Sequence, residues 1–206
     1  MFHTLHELHD DRVVATDGRI GRIHNILFDD RSWKIRYFVV DLKDWLTRRE
    51  VVIAANVADQ PDWRRKLLPV RITKEEVRHS PDVDSAKPVA RQQEIAFKEH
   101  YGWPLTWGHI RGEVFIPPAP TGCEYPVPSE EDRHLRSANH LYGYELHKKS
   151  QVIGRLENFV LDSNSWSISY LEIRAGDWLY RQSFLIATTN VESLSWARHQ
   201  VNLRPE

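Results

Sequence analysis

Residues 20–54 read IGRIHNILFDDRSWKIRYFVVDLKDWLTRREVVIA, and residues 153–187 read IGRLENFVLDSNSWSISYLEIRAGDWLYRQSFLIA. The two stretches align without a gap, and about 15 of the 35 positions are identical, which chance does not explain. Six of the eight tryptophans pair across this repeat as Trp33/Trp166, Trp45/Trp178 and Trp63/Trp196. Because tryptophan is costly to leave in water, the pairing predicts that one small core is built twice.

Composition narrows the class of protein. The chain has 206 residues, with 28 lysines and arginines against 29 acidic residues. This balance disfavours a nucleic-acid-binding protein, which normally carries a basic excess. The apolar run at residues 37–40 is far too short to span a bilayer, and residues 1–6 lack the features of a signal peptide. Cys123 is the only cysteine, so no disulfide framework is expected, and the composition predicts a soluble cytoplasmic protein.

Short extended segments separated by turns follow one another in the first copy. They are a hairpin around Asp17-Gly18, strands at 20–28, 34–41, 50–53 and 70–72, turns at 29–32 and 43–44, and a helical turn at 74–77. Such spacing predicts a small all-β barrel or sandwich in each copy. Aligning Asn56-Val57 with Asn190-Val191 predicts one inserted residue in the second copy.

The strand at 34–41 changes phase in both copies. Ile35 and Tyr37 alternate with polar residues, as in a half-buried strand, but Phe38 and Val40 then place apolar side chains on the other face. A β-bulge at a barrel corner explains this switch. The alternative is that both faces of the strand are covered.

The segment between the copies differs in composition. Residues 90–100 could form a short helix, and residues 117–122 are too rich in proline for a helix or ladder strand. A flexible tether would not carry Tyr101, Trp103 and Trp107, so these aromatics are expected to dock against a barrel or a second subunit. The predicted organisation is a barrel at 1–80, a partly helical linker at 81–136 and a second barrel at 137–206.

Several motifs of the chain match a known family. In the first copy they are Asp17-Gly18-Arg19-Ile20-Gly21-Arg22-Ile23, Phe28-Asp29, Trp33-Lys34-Ile35-Arg36-Tyr37, Val39-Val40-Asp41 and Trp45-Leu46. These motifs resemble the PRC-barrel family, which includes the cytoplasmic domain of the photosynthetic reaction centre H subunit and the C-terminal domain of the ribosome maturation factor RimM. Tyr101-Gly102-Trp103-Pro104 in the linker is similar to the joining segment of bacterial proteins with two such units. The resemblance implies a pair of small β-barrels that dock other proteins and carry no chemistry of their own.

No catalytic, cofactor-binding or metal-binding residues are predicted. The eleven histidines have no counterparts across the repeat, and His3, His6 and His9 are read as solvated rather than as zinc ligands. Asp29 and Asp162 are read as turn residues that bond nearby amides. Gly21 and Gly154 lie in strands, where a lone glycine indicates a bulge or close backbone approach.

The sequence therefore predicts a non-enzymatic protein-binding adaptor without a cofactor, expected to form a homodimer. Two alternatives stay open: an accessory role in electron transport beside a membrane complex, as the H subunit implies, and a protein that binds a metal or small ligand. The candidate docking surface comprises Phe38, Val40, Tyr101, Trp103, Trp107, Leu171 and Ile173. The repeated core comprises Trp33, Trp45, Trp166, Trp178, Tyr37 and Tyr170.

Overall fold

The computed structural model describes residues 1–44, 47–78, 135–149, 151–176 and 182–205. The first half contains β1 (Phe2–Thr4), α1 (Leu5–Leu8), β2 (Arg12–Ala15), β3 (Gly18–Asp29), β4 (Ile35–Asp44), β5 (Thr47–Ala54), the 3-10 helix η1 (Ala55–Val57), β6 (Leu67–Pro69) and α2 (Lys74–Arg78). The second half contains β7 (Leu135–Ser137), α3 (Ala138–Leu141), β8 (Glu145–Lys148), β9 (Gln151–Asp162), β10 (Ser167–Ala175), β11 (Gln182–Ala187), η2 (Thr188–Asn190), β12 (Val191–Ser195) and β13 (Gln200–Leu203).

The protein is mainly β, with one sheet for each half. The first sheet has the order β5-β4-β3-β2-β6, and the second has the order β11-β10-β9-β8-β13-β12. Strand pairs are antiparallel except for β2 with β6 and β8 with β13, which are parallel in both halves. Among the described strands, no pairing joins the two ends of either sheet to close a barrel. The two halves thus share one topology.

The halves exchange their first strands. β1 pairs with β9 of the second sheet, and β7 pairs with β3 of the first sheet. The registers correspond, since Phe2 lies opposite Asp162 and Leu135 lies opposite Asp29. The short helices follow the strands, because α1 contacts β9 and α3 contacts β3. Each sheet therefore contains a strand that the other half of the chain supplies.

A partly buried ion pair fastens one of these exchanged strands. Arg136 on β7 donates from Nε to the Asp30 carboxylate at 2.6 Å, and both side chains are largely shielded from solvent. Charge-assisted hydrogen bonds of this length are among the stronger ones in proteins. The pair therefore ties β7 to the turn that follows β3.

A local two-fold relation joins the halves at the turns before β4 and β10. The amide of Ile35 donates to the carbonyl of Trp166, and the amide of Ile168 donates to the carbonyl of Trp33, each at 2.8 Å. Lys34 and Ser167 form an antiparallel bridge between these two bonds. Both tryptophans have positive φ, 57° at Trp33 and 48° at Trp166, so the strained turn is also built twice.

Both sheets contribute to one continuous core. Phe28 contacts Phe159 with ring centroids 5.8 Å apart, and Phe38 meets Trp166 edge to face at 4.9 Å. Buried residues of both halves form a single cluster through such contacts. The expectation of two self-contained cores is therefore wrong, because the faces that would close separate barrels pack on each other instead. The domain boundaries predicted at residues 80 and 136 stay a prediction.

The predicted bulge lies in β4, at Arg36. Leu27 pairs with Tyr37, but Phe28 pairs with Ile35, so Arg36 is the extra residue. Ser169 is extra at the corresponding point of β10. The bulge puts Ile35 in the shared core and Tyr37 on the opposite face. In the first sheet that opposite face is buried too, so both explanations of the phase switch hold there.

Three local predictions need correction. The hairpin predicted around Asp17-Gly18 has its turn one residue earlier, at Thr16 and Asp17, because Ala15 pairs with Gly18. The strand predicted at 70–72 is β6 at Leu67–Pro69, and the turn predicted at 43–44 is part of β4. The helical turn at 74–77 is confirmed as α2.

The inserted residue is also absent. The C-cap amides of η1 and η2, at Ala58 and Val191, bond the carbonyls of Ala55 and Thr188. Thr188 corresponds to Ala55 by the same offset as Ile153 to Ile20, so the copies stay aligned without a gap. The predicted insertion followed a chance match between asparagines.

Candidate functional site

Four residues of the predicted docking surface lie inside the core. Phe38, Val40, Leu171 and Ile173 are fully buried in the cluster that the two sheets share. They cannot contact a partner in this structure, and the prediction for them is wrong. The bulge explains the error, because it turns these positions towards the other half of the chain. Tyr101, Trp103 and Trp107 lie outside the described residues.

The residues predicted as a repeated core are not buried equally. Trp33 and Tyr37 are buried, whereas Trp166 and Tyr170 are only half-buried. Trp33 stacks on Phe28 with ring centroids 5.4 Å apart. Trp45 and Trp178 lie outside the part of the chain that the structure describes. The same residues therefore have different surroundings in the two halves.

The outer face of the first sheet, turned away from the shared core, is covered. Its six apolar residues form a separate buried cluster of Leu27, Tyr37, Val39, Val52, Ala54 and Leu135. Five of these residues lie on β3, β4 and β5 of the first half, and Leu135 lies on the exchanged strand β7. This face is therefore closed to a partner.

The equivalent face of the second sheet is partly exposed. We call it the second outer face, and its residues, in the order of their first-sheet counterparts, are Val160, Tyr170, Glu172, Leu185, Ala187 and Phe2. Phe2 is 58% exposed and Leu185 is 55% exposed, and both are among the few exposed large apolar residues of the described chain. Large apolar side chains grouped on an exposed surface mark binding sites more often than they occur by chance.

The second outer face has an apolar ridge and an acidic centre. Phe2 packs edge to face on Tyr170, with ring centroids 5.8 Å apart. Glu172 lies directly opposite Leu185 in the β10–β11 ladder. Glu172 replaces Val39 of the first sheet and has no ion-pair partner among the described residues. At the rim, Arg174 bonds Glu157 at 3.0 Å.

Sequence reasoning missed this face because it followed the wrong strand phase. The sequence pattern places Tyr170 in the core, and nothing in the local pattern around Phe2 indicates a strand that crosses to the other half. The exchange of Val39 for Glu172 was the available signal. It shows that the outer faces of the two sheets differ in their contact with water.

Trp63 and Trp196, which correspond in the repeat, each contact a side chain of an exchanged strand. His3 stacks on Trp63 with centroids 3.6 Å apart, and Arg136 lies over Trp196 at 5.7 Å. His3 and Arg136 correspond in the exchanged strands. The His3 side chain is only 12% exposed, so the prediction that it is solvated is wrong. Its ring instead fastens β1 against the first half.

The predicted turn role of the aspartates is confirmed. Asp29 accepts bonds at Oδ1 from the amides of Arg31 and Ser32, at 3.2 and 2.7 Å. Asp162 accepts the Asn164 amide at 3.2 Å in the same way. Within the described ranges, no three histidine, cysteine, aspartate or glutamate side chains are grouped as metal ligands would be. Cys123 lies outside those ranges.

Asp11 is a buried acid without a partner. The residue is fully buried, and neither carboxylate oxygen has a hydrogen-bond partner among the described residues. Burial raises the pKa of this carboxyl from 3.8 to about 6, against the opposing effect of Lys66 and Arg12. In the folded chain the neutral form of Asp11 therefore predominates up to about pH 6.

We expect Asp11 to make stability depend on pH. The free energy of unfolding is highest below about pH 4, where Asp11 is neutral in both states. It falls as the pH rises through about 6, by about 3 kcal/mol at most, because the buried carboxyl ionises. Asp11→Asn should remove this slope and raise the free energy of unfolding at pH 8 by about 1–2 kcal/mol, because the amide still lacks hydrogen-bond partners. Urea denaturation from pH 4 to 8 measures it, with the exposed Asp10→Asn as control. An unchanged slope in Asp11→Asn would contradict the assignment.

Comparison with known proteins identifies one domain. The family model of the PRC-barrel domain matches residues 1–77, which covers the first half as far as α2. A search of curated proteins finds no match to the chain. Among the described residues, no helix is both long enough and apolar enough to cross a membrane.

Proposed function

We propose that the chain is a non-enzymatic protein-binding adaptor built from two PRC-barrel-like modules, and that it docks through the second outer face. The family match to residues 1–77 and the common topology of the halves support a second module of the same kind at 137–206. One observation carries the docking proposal. The outer face of the first sheet is buried, whereas its counterpart exposes Phe2 and Leu185.

The chemistry of the face selects the partner. Phe2, Tyr170 and Leu185 would fit a complementary apolar surface, and aromatic side chains are frequent anchors of protein interfaces. The unpaired Glu172 carboxylate between them would be costly to bury alone. The proposed partner is therefore another protein that presents an apolar surface with a lysine or arginine placed against Glu172.

Self-association through this face is less favoured. A symmetric contact between two copies would bring the Glu172 carboxylates of both copies towards the same two-fold axis, where like charges repel. The homodimer expected from the sequence is thus an alternative outcome of the experiment below. The accessory role in electron transport stays a prediction, and no described side chain argues for it.

Leu185→Lys is expected to weaken partner binding at least tenfold without changing the fold. The substitution places a charge where the partner's apolar surface would lie. Val152→Lys is the matched control, because Val152 is 52% exposed but lies outside the second outer face. A photo-crosslinking residue at position 185 or 152 first captures partners from native extract, and the affinity of the purified partner is then measured for each variant.

The outcomes separate the alternatives. A partner that crosslinks from position 185 and not from 152, and that recovers affinity for Glu172→Lys when its own basic residue is reversed, supports the proposal. Equal affinity of the partner for Leu185→Lys and for the wild type would contradict the docking proposal. Sedimentation of the wild type as a dimer that Leu185→Lys dissociates would show that the occupant is a second copy.

A further inference from the structure

A large cavity lies at the junction of the second half with the first. It has a volume of about 880 Å³ and lies where β10, η2 and β12 meet the turn at residues 30–33 from the first half. Ligand cavities commonly have volumes of about 300–1,000 Å³. The cavity therefore has the size of a small-molecule site.

Two substitutions between the copies open it. Ser169 lines the cavity where the first half has Arg36, and Ser193 lines it where the first half has Gln60. In the first half, Gln60 extends across the junction and its Nε2 donates to the Ser163 carbonyl at 3.1 Å. Two long side chains are thus replaced by serines, and space appears between the halves.

An arginine at the cavity is not ion-paired as its counterpart in the first half is, although Glu192 stands at the position equivalent to Asp59 and also lines the cavity. Arg71 of the first half pairs with Asp59 at 3.4 Å and also donates to the Asn56 carbonyl. The equivalent Arg204 lines the cavity and donates from Nε to the Val191 carbonyl at 3.3 Å. Among the described residues, Arg204 has no carboxylate within ion-pair distance, so its terminal nitrogens are available to an anion.

The other walls add rings and hydroxyls. Phe2, Trp33 and Tyr170 line one side, and Arg31 from the turn adds a second guanidinium without an ion pair in the described chain. Asp30 also lines the cavity, but its charge is engaged by Arg136 at 2.6 Å. Glu192 is the remaining acid, and it is exposed at the edge. The walls therefore combine aromatic surface with two guanidinium groups that form no ion pair among the described residues.

We propose that this cavity binds an organic anion that carries a ring, with the ring beside Phe2 and Tyr170 and the anionic group on the guanidinium of Arg204. A carboxylate or phosphate matches the planar donor geometry of arginine, and the serine and threonine hydroxyls can complete the hydrogen bonds. Aromatic carboxylates and nucleotides share this chemistry.

Fluorescence titration with 8-anilinonaphthalene-1-sulfonate, an aromatic sulfonate, tests the proposal on the full chain. We expect one saturable site. Arg204→Gln removes the anion contact, and Ser193→Gln fills the cavity with the residue that the first half has at this position. Each substitution should lower the affinity for the probe at least tenfold. Arg71→Gln is the matched control at the equivalent position and should change affinity less than twofold. Thermal melting followed by circular dichroism confirms that each variant is folded.

Competition then identifies the class of ligand. Displacement of the probe by benzoate but not by adenosine 5′-monophosphate assigns an aromatic carboxylate, and the reverse assigns a nucleotide. Equal affinity in wild type, Arg204→Gln and Ser193→Gln, or no displacement by either compound, would overturn the proposal. Phe2, Tyr170 and Ala187 belong both to the cavity and to the second outer face. Loss of the probe in Leu185→Lys, with unchanged binding in Arg204→Gln and Ser193→Gln, would place the probe on the part of that face outside the cavity. This result would overturn the cavity site and leave the docking proposal intact.

Discussion

Replacing Trp33 with alanine is expected to lower the free energy of unfolding by about 3–5 kcal/mol, the usual cost of removing a large buried aromatic. The indole is 8% exposed and stacks on Phe28, which in turn contacts Phe159 of the second sheet. Its loss therefore leaves a cavity in the core that both halves share. Because that core is continuous, we expect both halves to unfold together in one transition, at a lower urea concentration than the wild type. Urea denaturation followed by far-UV circular dichroism measures it.

Trp166→Ala is the matched control for this experiment. Trp166 occupies the equivalent turn, with the same positive φ and the same hydrogen bond to the other half, but it is only half-buried. The loss should be smaller, about 1–3 kcal/mol, because part of the ring is already in water. A loss below about 1 kcal/mol at Trp33 would show that the ring does not fill the shared core.

Gly21→Ala is expected to destabilise the chain by about 3 kcal/mol through steric overlap. A Cβ at this position would overlap the carbonyl oxygen of Asp41 on the neighbouring strand. The clash is with backbone, so relief requires β3 and β4 to separate where they pair. Gly154 repeats the arrangement, with a Cβ only 2.7 Å from the Arg174 carbonyl oxygen. The close backbone approach predicted from the sequence is thus present in both halves.

Gly143→Ala controls for the general cost of adding a methyl group. A Cβ there meets no atom within 4 Å, but φ is +81°, so only backbone strain of about 1 kcal/mol is expected. Chemical denaturation should rank Gly21→Ala well below Gly143→Ala in stability. The reverse order would mean that the two strands can part at Gly21 with little loss.

The repeat predicted the common topology of the halves but not how they join. β1 reads Phe-His-Thr and β7 reads Leu-Arg-Ser, so the exchanged strands share no identical residue. Each pairs with a strand more than a hundred residues away, and short-range periodicity contains no information about such a partner. The exchange was therefore beyond the reach of sequence patterns.

The candidate site was missed through a shift of one residue. The extra residues Arg36 and Ser169 reverse which side chains face the core, and a slip of one position moves a whole strand's side chains to the opposite face. The sequence pattern therefore predicts that Phe38 and Leu171 face outwards, and it does not indicate the exposed ridge at Phe2 and Leu185. The bulge itself was anticipated, but its consequence for burial depended on the neighbouring half.

The exchange of strands between the halves also has a consequence for each copy taken alone. A single copy made alone would expose the sheet edge that the first strand of the other copy covers in this chain. It could cover that edge only with the first strand of a second molecule. When both copies lie in one chain, the contact between them is intramolecular and no longer depends on protein concentration. The two copies nevertheless differ, since the outer face of the first sheet is buried and that of the second exposes Phe2 and Leu185.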